Sequence, residues 1–93
     1  MKEYSYTVKD KNGLHARPAG KLVTVAKGFE SEIKVRAHGK EADGKRLLSV
    51  MSLGAKQGTE LRFEISGADE AQACEAIKKH LEDGLDENEE KGS

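Results

Sequence analysis

A chain of 93 residues can form one domain with a modest two-layer core and leaves no room for a second domain. Sixteen Lys and Arg nearly balance seventeen Asp and Glu, and two Tyr, two Phe and no Trp offer no base-stacking platform, so we expect no nucleic-acid partner. The single Cys excludes an internal disulfide, and the absence of an apolar signal segment or a run of transmembrane length predicts a cytoplasmic protein that does not insert into a membrane.

The first predicted element is a strand at residues 4–9, where apolar and polar side chains alternate. Asn12-Gly13 then indicates a turn, and the apolar residues after it recur at helical spacing, which predicts a helix over residues 16–27. Gly28 is expected to end this helix, because glycine is common just past a helix C-terminus. His15 is therefore expected at or next to the N-cap of the helix.

The second half of the chain predicts a β-hairpin, a short helix, a fourth strand and a final helix. Alternation over residues 33–37 and the His38-Gly39 turn predict the hairpin. The short helix is expected within residues 45–53 and the fourth strand at residues 61–65, and Asp69 is the predicted N-cap of the last helix. If the helices cover one face and the strands alternate in direction, the fourth strand can lie between the first and the second.

Residues suited to phosphate chemistry lie at the predicted start of the first helix. The first N–H groups of a helix have no intrahelical acceptor, and the positive end of its dipole faces outward, so this position favours an anion. Pro18 is compatible with the first turn, and the Arg17 guanidinium suits two-pronged contact with phosphate oxygens. The dipole and Arg17 both disfavour the imidazolium form of His15, which favours a neutral, nucleophilic ring. The alternative is a histidine that only caps the helix.

The stretch 12–19 resembles the active-site signature of HPr, the small histidine-containing phosphocarrier of the bacterial phosphoenolpyruvate-dependent sugar phosphotransferase system. The resemblance covers residues 4–81 in the same order without an obvious gap. Its other segments are 27–29, 31–33, 39–40, 50–54, 57–59 and 67–71. It implies an α+β open-faced β-sandwich, β-α-β-β-α-β-α, whose four-stranded antiparallel sheet of order 1-4-2-3 carries three helices on one face.

The same resemblance implies a phosphoryl relay and not an enzyme. His15 is expected to accept the phosphoryl group on Nδ1 from enzyme I and to pass it to sugar-specific enzyme IIA components, with Ala16 and Arg17 as the phosphate cradle. We expect a monomer with no cofactor and no metal, since no His has a second ligand at metal-binding spacing. Two alternatives stay open: a regulatory paralogue of a nitrogen or dihydroxyacetone branch, and a binding module that regulates a partner without being phosphorylated.

The short helix supplies a predicted docking surface, because five of its seven residues from Leu47 to Leu53 are apolar and two turns cannot bury all of them. Leu47, Val50 and Leu53 are assigned to the core, which leaves Leu48 and Met51 as an exposed apolar patch. The resemblance implies that the short helix and the first helix meet both donor and acceptors, and nearby cations are expected to steer acidic partners. The whole predicted docking surface comprises Ala16, Gly20, Lys21, Lys27, Lys45, Arg46, Leu47, Leu48, Met51 and Ser52.

Two features depart from the family pattern. Firmicute-type members carry a serine at the position of Arg46, and a dedicated kinase phosphorylates that serine, so this form of regulation is not expected here.

Residues 1–85 are predicted to form a single HPr-like domain. Residues 86–93 are acidic and lack apolar side chains, which predicts a disordered tail.

Overall fold

The structure, a computed structural model, describes residues 1–82 and contains the predicted elements in the predicted order. The strands are β1 (Lys2–Thr7), β2 (Glu32–Ala37), β3 (Lys40–Asp43) and β4 (Glu60–Ser66). The helices are α1 (Ala16–Lys27), α2 (Leu47–Met51) and α3 (Glu70–Glu82). The acidic tail predicted at residues 86–93 lies outside the described residues.

The last strand in the sequence, β4, lies in the interior of the sheet. It pairs antiparallel with β1, from Lys2 opposite Ile65 to Thr7 opposite Glu60, and antiparallel with β2 on its other side. β2 also pairs with β3 across the His38-Gly39 turn, whose residues both have positive φ (54° and 75°), as a type I′ hairpin turn requires. The sheet order is therefore β1-β4-β2-β3, as predicted.

The apolar core lies between this sheet and the helices. In β4, Leu61, Phe63 and Ile65 are fully buried and alternate with more exposed polar residues, which is the pattern of a strand with one covered face. The buried stripes of the two longer helices pack on that face. They consist of Pro18, Ala19, Leu22, Val23 and Ala26 in α1, and of Ala73, Ile77 and Leu81 in α3.

The other face of the sheet is solvated and carries ion pairs. Arg36 binds Glu41 at 3.2 Å and Glu64 at 3.1 Å, and Lys34 binds Glu41 at 3.4 Å. Exposed pairs of this kind contribute about 1 kcal/mol or less each to the stability of the fold. Their main consequence is that this face of the sheet is polar. Within residues 1–82 no helix has the length and apolar character needed to cross a membrane.

Candidate functional site

The loop before α1 is held in shape by its own hydrogen bonds. The Gly13 N–H donates to the Asp10 carbonyl (2.9 Å), and the Asn12 N–H donates to Asp10 Oδ1 (2.8 Å). Leu14 is buried and donates its N–H to the Ala55 carbonyl (2.9 Å). Gly13 has a φ of +73°, and a Cβ at this position would lie 2.5 Å from the Ala55 oxygen, so the close approach requires glycine. The loop thereby delivers the next residue to α1 in a defined position.

His15 is the N-cap residue of α1, as predicted. Its backbone is extended (φ −85°, ψ −173°), and its carbonyl accepts the Ala19 N–H at 3.0 Å, which is the first hydrogen bond of the helix. The imidazole makes no capping hydrogen bond to the helix, and 39% of the side chain is exposed. The alternative that His15 serves only as a side-chain cap is therefore excluded, and the ring is accessible from the surface.

Asp10 reaches across the turn to the His15 ring. Asp10 Oδ2 lies 3.2 Å from His15 Nε2. An ionised carboxylate can only accept a hydrogen bond, so this contact requires a hydrogen on Nε2. When the ring is neutral, its lone pair is then on Nδ1. Asp10 was not predicted to belong to the site, because an Asp two residues before Asn-Gly is a common turn residue. The available signal was the turn itself, which reverses the chain and brings position 10 back to position 15.

The first turn of α1 follows directly on this ring in the chain and is exposed at its first two residues. Ala16 and Arg17 are exposed, Pro18 is buried and has no N–H to leave unpaired, and the turn contains no acidic residue. An anion at this end of the helix is favoured by the N–H groups and by the helix dipole. Ala16 and Arg17 thus lie at the predicted place, and their contact with a phosphoryl group stays a prediction. Within residues 1–82 no three His, Cys, Asp or Glu side chains are grouped closely enough to hold a metal ion.

α2 presents two leucines at the surface, and we refer to Leu47 and Leu48 as the leucine patch. Leu48 is 80% exposed and Leu47 is 37% exposed, whereas Val50 and Leu53 are buried in the core. α2 packs against α1, so the helix that carries the leucine patch is a neighbour of α1. The prediction that Leu47 belongs to the core is wrong. The prediction that Met51 projects into solvent is also wrong, because Met51 is half-buried against the core.

The burial of these side chains depends on position along α2 more than on angle around it. At about 100° per residue, Leu47 lies roughly 60° and Met51 roughly 100° from the direction of Val50, so the angle alone favours burial of Leu47. Met51, however, lies at the end of α2 where the chain turns inward to the buried Leu53, and Leu47 follows the exposed Arg46. A helix of five residues is too short for periodicity to decide which side chains are covered.

The cations of the predicted docking surface differ in their surroundings. Lys27 and Arg46 are exposed, and Lys21 is half-buried. The ammonium of Lys45 donates to the Phe29 carbonyl (2.6 Å), so this side chain fastens the segment before α2 to the turn after α1. Lys45 is therefore part of the scaffold as well as a positive charge near the surface. The other predicted members of the surface are exposed or half-buried, namely Ala16, Gly20 and Ser52.

Comparison with known proteins gives consistent matches over nearly the whole described chain. A family model described as "PTS HPr component phosphorylation site" matches residues 2–83. The phosphocarrier protein HPr of Lysinibacillus sphaericus is 47% identical over 77 residues, which cover 83% of this chain and 88% of that protein. The multiphosphoryl transfer protein of Escherichia coli O157:H7 is 44% identical over 85 residues, which cover 88% of this chain and 23% of that longer protein.

Among solved structures, a histidine-containing phosphocarrier protein of Mycoplasma is similar over the whole fold. Its TM-score is 0.86 at 38% sequence identity, and the match covers 90% of this chain and 96% of that chain. At this identity and coverage the likeness extends beyond a shared architecture to the residue pattern itself.

Proposed function

Because this chain belongs to the HPr family of phosphocarriers of the phosphotransferase system, we propose that it relays a phosphoryl group from enzyme I to sugar-specific enzyme IIA components through His15. Family membership makes the protein a phosphorylated intermediate in a transfer sequence and not an enzyme with its own turnover. The observation that carries the proposal is the accessible His15 ring at the N-cap of α1, with Nε2 engaged by Asp10. The relay uses the other nitrogen, Nδ1.

The transfer needs a nucleophile and a place for negative charge. Nδ1 of the neutral His15 ring supplies the lone pair that attacks phosphorus. The phosphoryl oxygens then lie against the first turn of α1, where the N–H groups, the helix dipole and the Arg17 guanidinium stabilise the charge that develops during transfer. Electrostatic stabilisation by groups that are already in place is the main contribution a protein makes to phosphoryl transfer.

The leucine patch on α2 serves as the docking surface in this proposal. Leu48 is the most exposed large apolar side chain of α2, and an exposed apolar side chain next to positive residues suits a partner with an apolar centre and an acidic rim. Lys27 and Arg46 supply exposed positive charge that speeds encounter with such a partner. Enzyme I and the enzyme IIA components would then bind the same face in turn.

The proposal also takes residues 1–85 as a single domain that acts as a cytoplasmic monomer. The two edge strands of the sheet, β1 and β3, carry several charged residues, which disfavours pairing between sheets of two molecules. Sedimentation velocity at micromolar concentration tests the monomer, and a stable species of twice the mass contradicts it.

The decisive test of the relay is phosphorylation of the protein by enzyme I and phosphoenolpyruvate. Wild-type protein should gain one acid-labile phosphoryl group, and His15→Ala should gain none while it keeps its fold, since this residue makes no side-chain cap that the fold needs. Intact-mass measurement at neutral pH, followed by brief acid treatment, detects the adduct and its lability.

A matched control is His38→Asn, which removes an exposed histidine outside the site. Asparagine tolerates the positive φ of this turn position, so the variant should fold and remain a full phosphoryl acceptor. Phosphorylation of His15→Ala, or its loss in His38→Asn, would overturn the assignment. Unmodified wild-type protein that still binds enzyme I would favour the alternative of a binding module.

A further inference from the structure

We propose that Asp10 is a positioning residue for phosphoryl transfer. Its carboxylate holds the His15 ring as the tautomer with the hydrogen on Nε2, and it stabilises the positive charge that the ring gains when Nδ1 bonds to phosphorus. This inference rests on the proposed role of His15 as phosphoryl acceptor. Asp10 acts through the imidazole and does not itself contact the phosphoryl group.

The Asp10 carboxylate is oriented by the turn that it begins. Oδ1 accepts the Asn12 N–H at 2.8 Å, and the Asp10 carbonyl accepts the Gly13 N–H at 2.9 Å. Oδ2, the other oxygen of the same carboxylate, then lies 3.2 Å from His15 Nε2. The Asp10 side chain is only 19% exposed, so the contact is partly shielded from water, which strengthens a charge-assisted hydrogen bond. The acceptor is thus in place before the ring reacts.

This contact selects one of two neutral tautomers of the ring. A neutral imidazole carries its hydrogen on either nitrogen, and only the nitrogen without hydrogen has a lone pair for attack. Since the Asp10 carboxylate has no hydrogen to donate, it binds only the tautomer with hydrogen on Nε2. That tautomer has its lone pair on Nδ1, so the reactive form is enriched before a phosphoryl donor arrives.

Phosphoryl transfer to Nδ1 and back requires no proton to move. The Nδ1 lone pair forms the new N–P bond while the bond between phosphorus and the donor atom breaks, and the electron pair of that bond returns to the donor. The hydrogen stays on Nε2, so the ring becomes positively charged, and Asp10 faces this hydrogen. In the onward transfer the N–P bond breaks towards Nδ1 and the neutral ring is restored. A carboxylate opposite Nε2 stabilises the charged ring in both directions, as an Asp behind a catalytic imidazole does in serine proteases.

Asp10→Asn is the sharpest variant, because it keeps the shape of the side chain and exchanges an acceptor for a donor. The Asn12 N–H donates to this side chain, so the amide oxygen should stay on that side and the NH₂ group should face the His15 ring. A donor opposite Nε2 favours the tautomer with the hydrogen on Nδ1, which cannot attack through that atom. Asp10→Ala removes the contact without imposing the wrong tautomer, and it serves as second variant if the first folds poorly.

Two measurements test the proposal. Long-range ¹H–¹⁵N correlation spectra of the His15 ring report the tautomer of the unphosphorylated protein. The rate of phosphorylation by enzyme I gives kcat and KM for each variant. We expect hydrogen on Nε2 in wild type and a shift towards Nδ1 in Asp10→Asn. We expect kcat to fall about tenfold with KM unchanged, as for other partners that orient a functional histidine, and a smaller fall in Asp10→Ala.

Asp43→Asn is a matched control, because Asp43 Oδ1 also accepts the N–H two residues on, that of Lys45, at 2.9 Å. This control should leave the His15 tautomer and the phosphorylation rate unchanged. An unchanged tautomer in Asp10→Asn, or a changed tautomer with an unchanged rate, overturns the role of Asp10. An unmodified wild-type protein overturns the role of His15 instead, and the spectra then still decide whether Asp10 sets the tautomer.

Discussion

Helix α1 has a carboxylate at each end, and the two carboxylates are used differently. Beyond its C-terminal end, Asp69 accepts the N–H groups of Glu30 and Ser31 at 2.9 Å each and the Ser31 hydroxyl at 2.5 Å. At the N-terminal end, Asp10 accepts one N–H of its own turn and turns its second oxygen to an accessible imidazole. Both oxygens of Asp69 bind groups that belong to the fold, whereas one oxygen of Asp10 contacts the reactive ring.

The surroundings of the two ends account for this difference. Ser31 is 1% exposed and packs under Gly67, so the carboxylate beside it has to satisfy the polar groups of a buried serine. The Ser31 hydroxyl and the Glu30 N–H hold the pKa of the Asp69 carboxyl below its usual range. An Asp next to a turn is therefore structural where it satisfies a buried residue, and it can serve chemistry where its partner is accessible.

The largest loss of stability should come from Gly67→Ala, which disturbs the packing around Ser31 beyond the C-terminal end of α1. A Cβ at Gly67 would lie 2.7 Å from both Cα and Oγ of Ser31, and φ is +152°. Overpacking and backbone strain together should lower the free energy of unfolding by about 2–4 kcal/mol, measured by urea denaturation. Gly39→Ala is the control, because its φ is also positive and nothing lies within 4 Å of the added Cβ. Equal losses in both variants would mean that contact with Ser31 is unimportant.

Gly13→Ala places a Cβ in the same way in the loop before His15, at the N-terminal end of α1. It should cause the second largest loss of stability. Its Cβ would lie 2.5 Å from the Ala55 oxygen, but the neighbouring residues Lys11 and Asn12 are exposed and can yield. We expect a loss of about 1–3 kcal/mol in stability together with phosphoryl transfer slowed at least about tenfold, because His15 shifts with the loop. Measured per folded molecule, transfer at the wild-type rate would show that the loop does not position the ring.

Asp69→Asn should have a smaller effect, because no backbone has to move. The pKa of Asp69 lies below its ordinary value of 3.8 in the folded protein, so the unfolded chain binds its proton first as the pH falls. The stability that the carboxylate contributes is therefore present above about pH 4 and lost as the pH falls through the folded-state pKa. Melting temperatures of wild type and Asp69→Asn should differ at pH 7 and converge in acid. A constant difference down to pH 2 would contradict this. Phosphoryl transfer at pH 7 should be retained in Asp69→Asn.

The smallest expected effect is a gain in stability, from a substitution within α1 between its two ends. Gly20 is in the middle of α1 and an added Cβ there would meet nothing within 4 Å. Gly20→Ala should raise the free energy of unfolding by about 0.5–1 kcal/mol, because alanine loses less backbone freedom on folding. Thermal unfolding measures it. Destabilisation would mean that the helix needs the freedom of glycine at this position.

The sequence predicts the helices, the strands and their order better than the burial and contacts of single side chains. The bounds of α1 and the alternation in β4 are anticipated, because each rests on several residues with a regular period. The sheet order follows instead from the rules for connecting strands and helices and from the family resemblance. Leu47 and Met51 were misassigned because a five-residue helix leaves burial to the path of the chain around it. Asp10 was missed because its contact with His15 depends on a turn and not on a period.

The position of β4 inside the sheet has a consequence for how the chain folds as it is made. β1 is synthesised first, but its partner β4 begins only at Glu60, so Lys2 cannot meet Ile65 until most of the domain has been translated. At typical rates of synthesis this delay lasts roughly 3–12 s. During that time α1 and the β2–β3 hairpin can form locally, while β1 has no strand to pair with. Long-range pairing of this kind slows folding, so the nascent protein depends on completion of β4 before any of its sheet closes around the core.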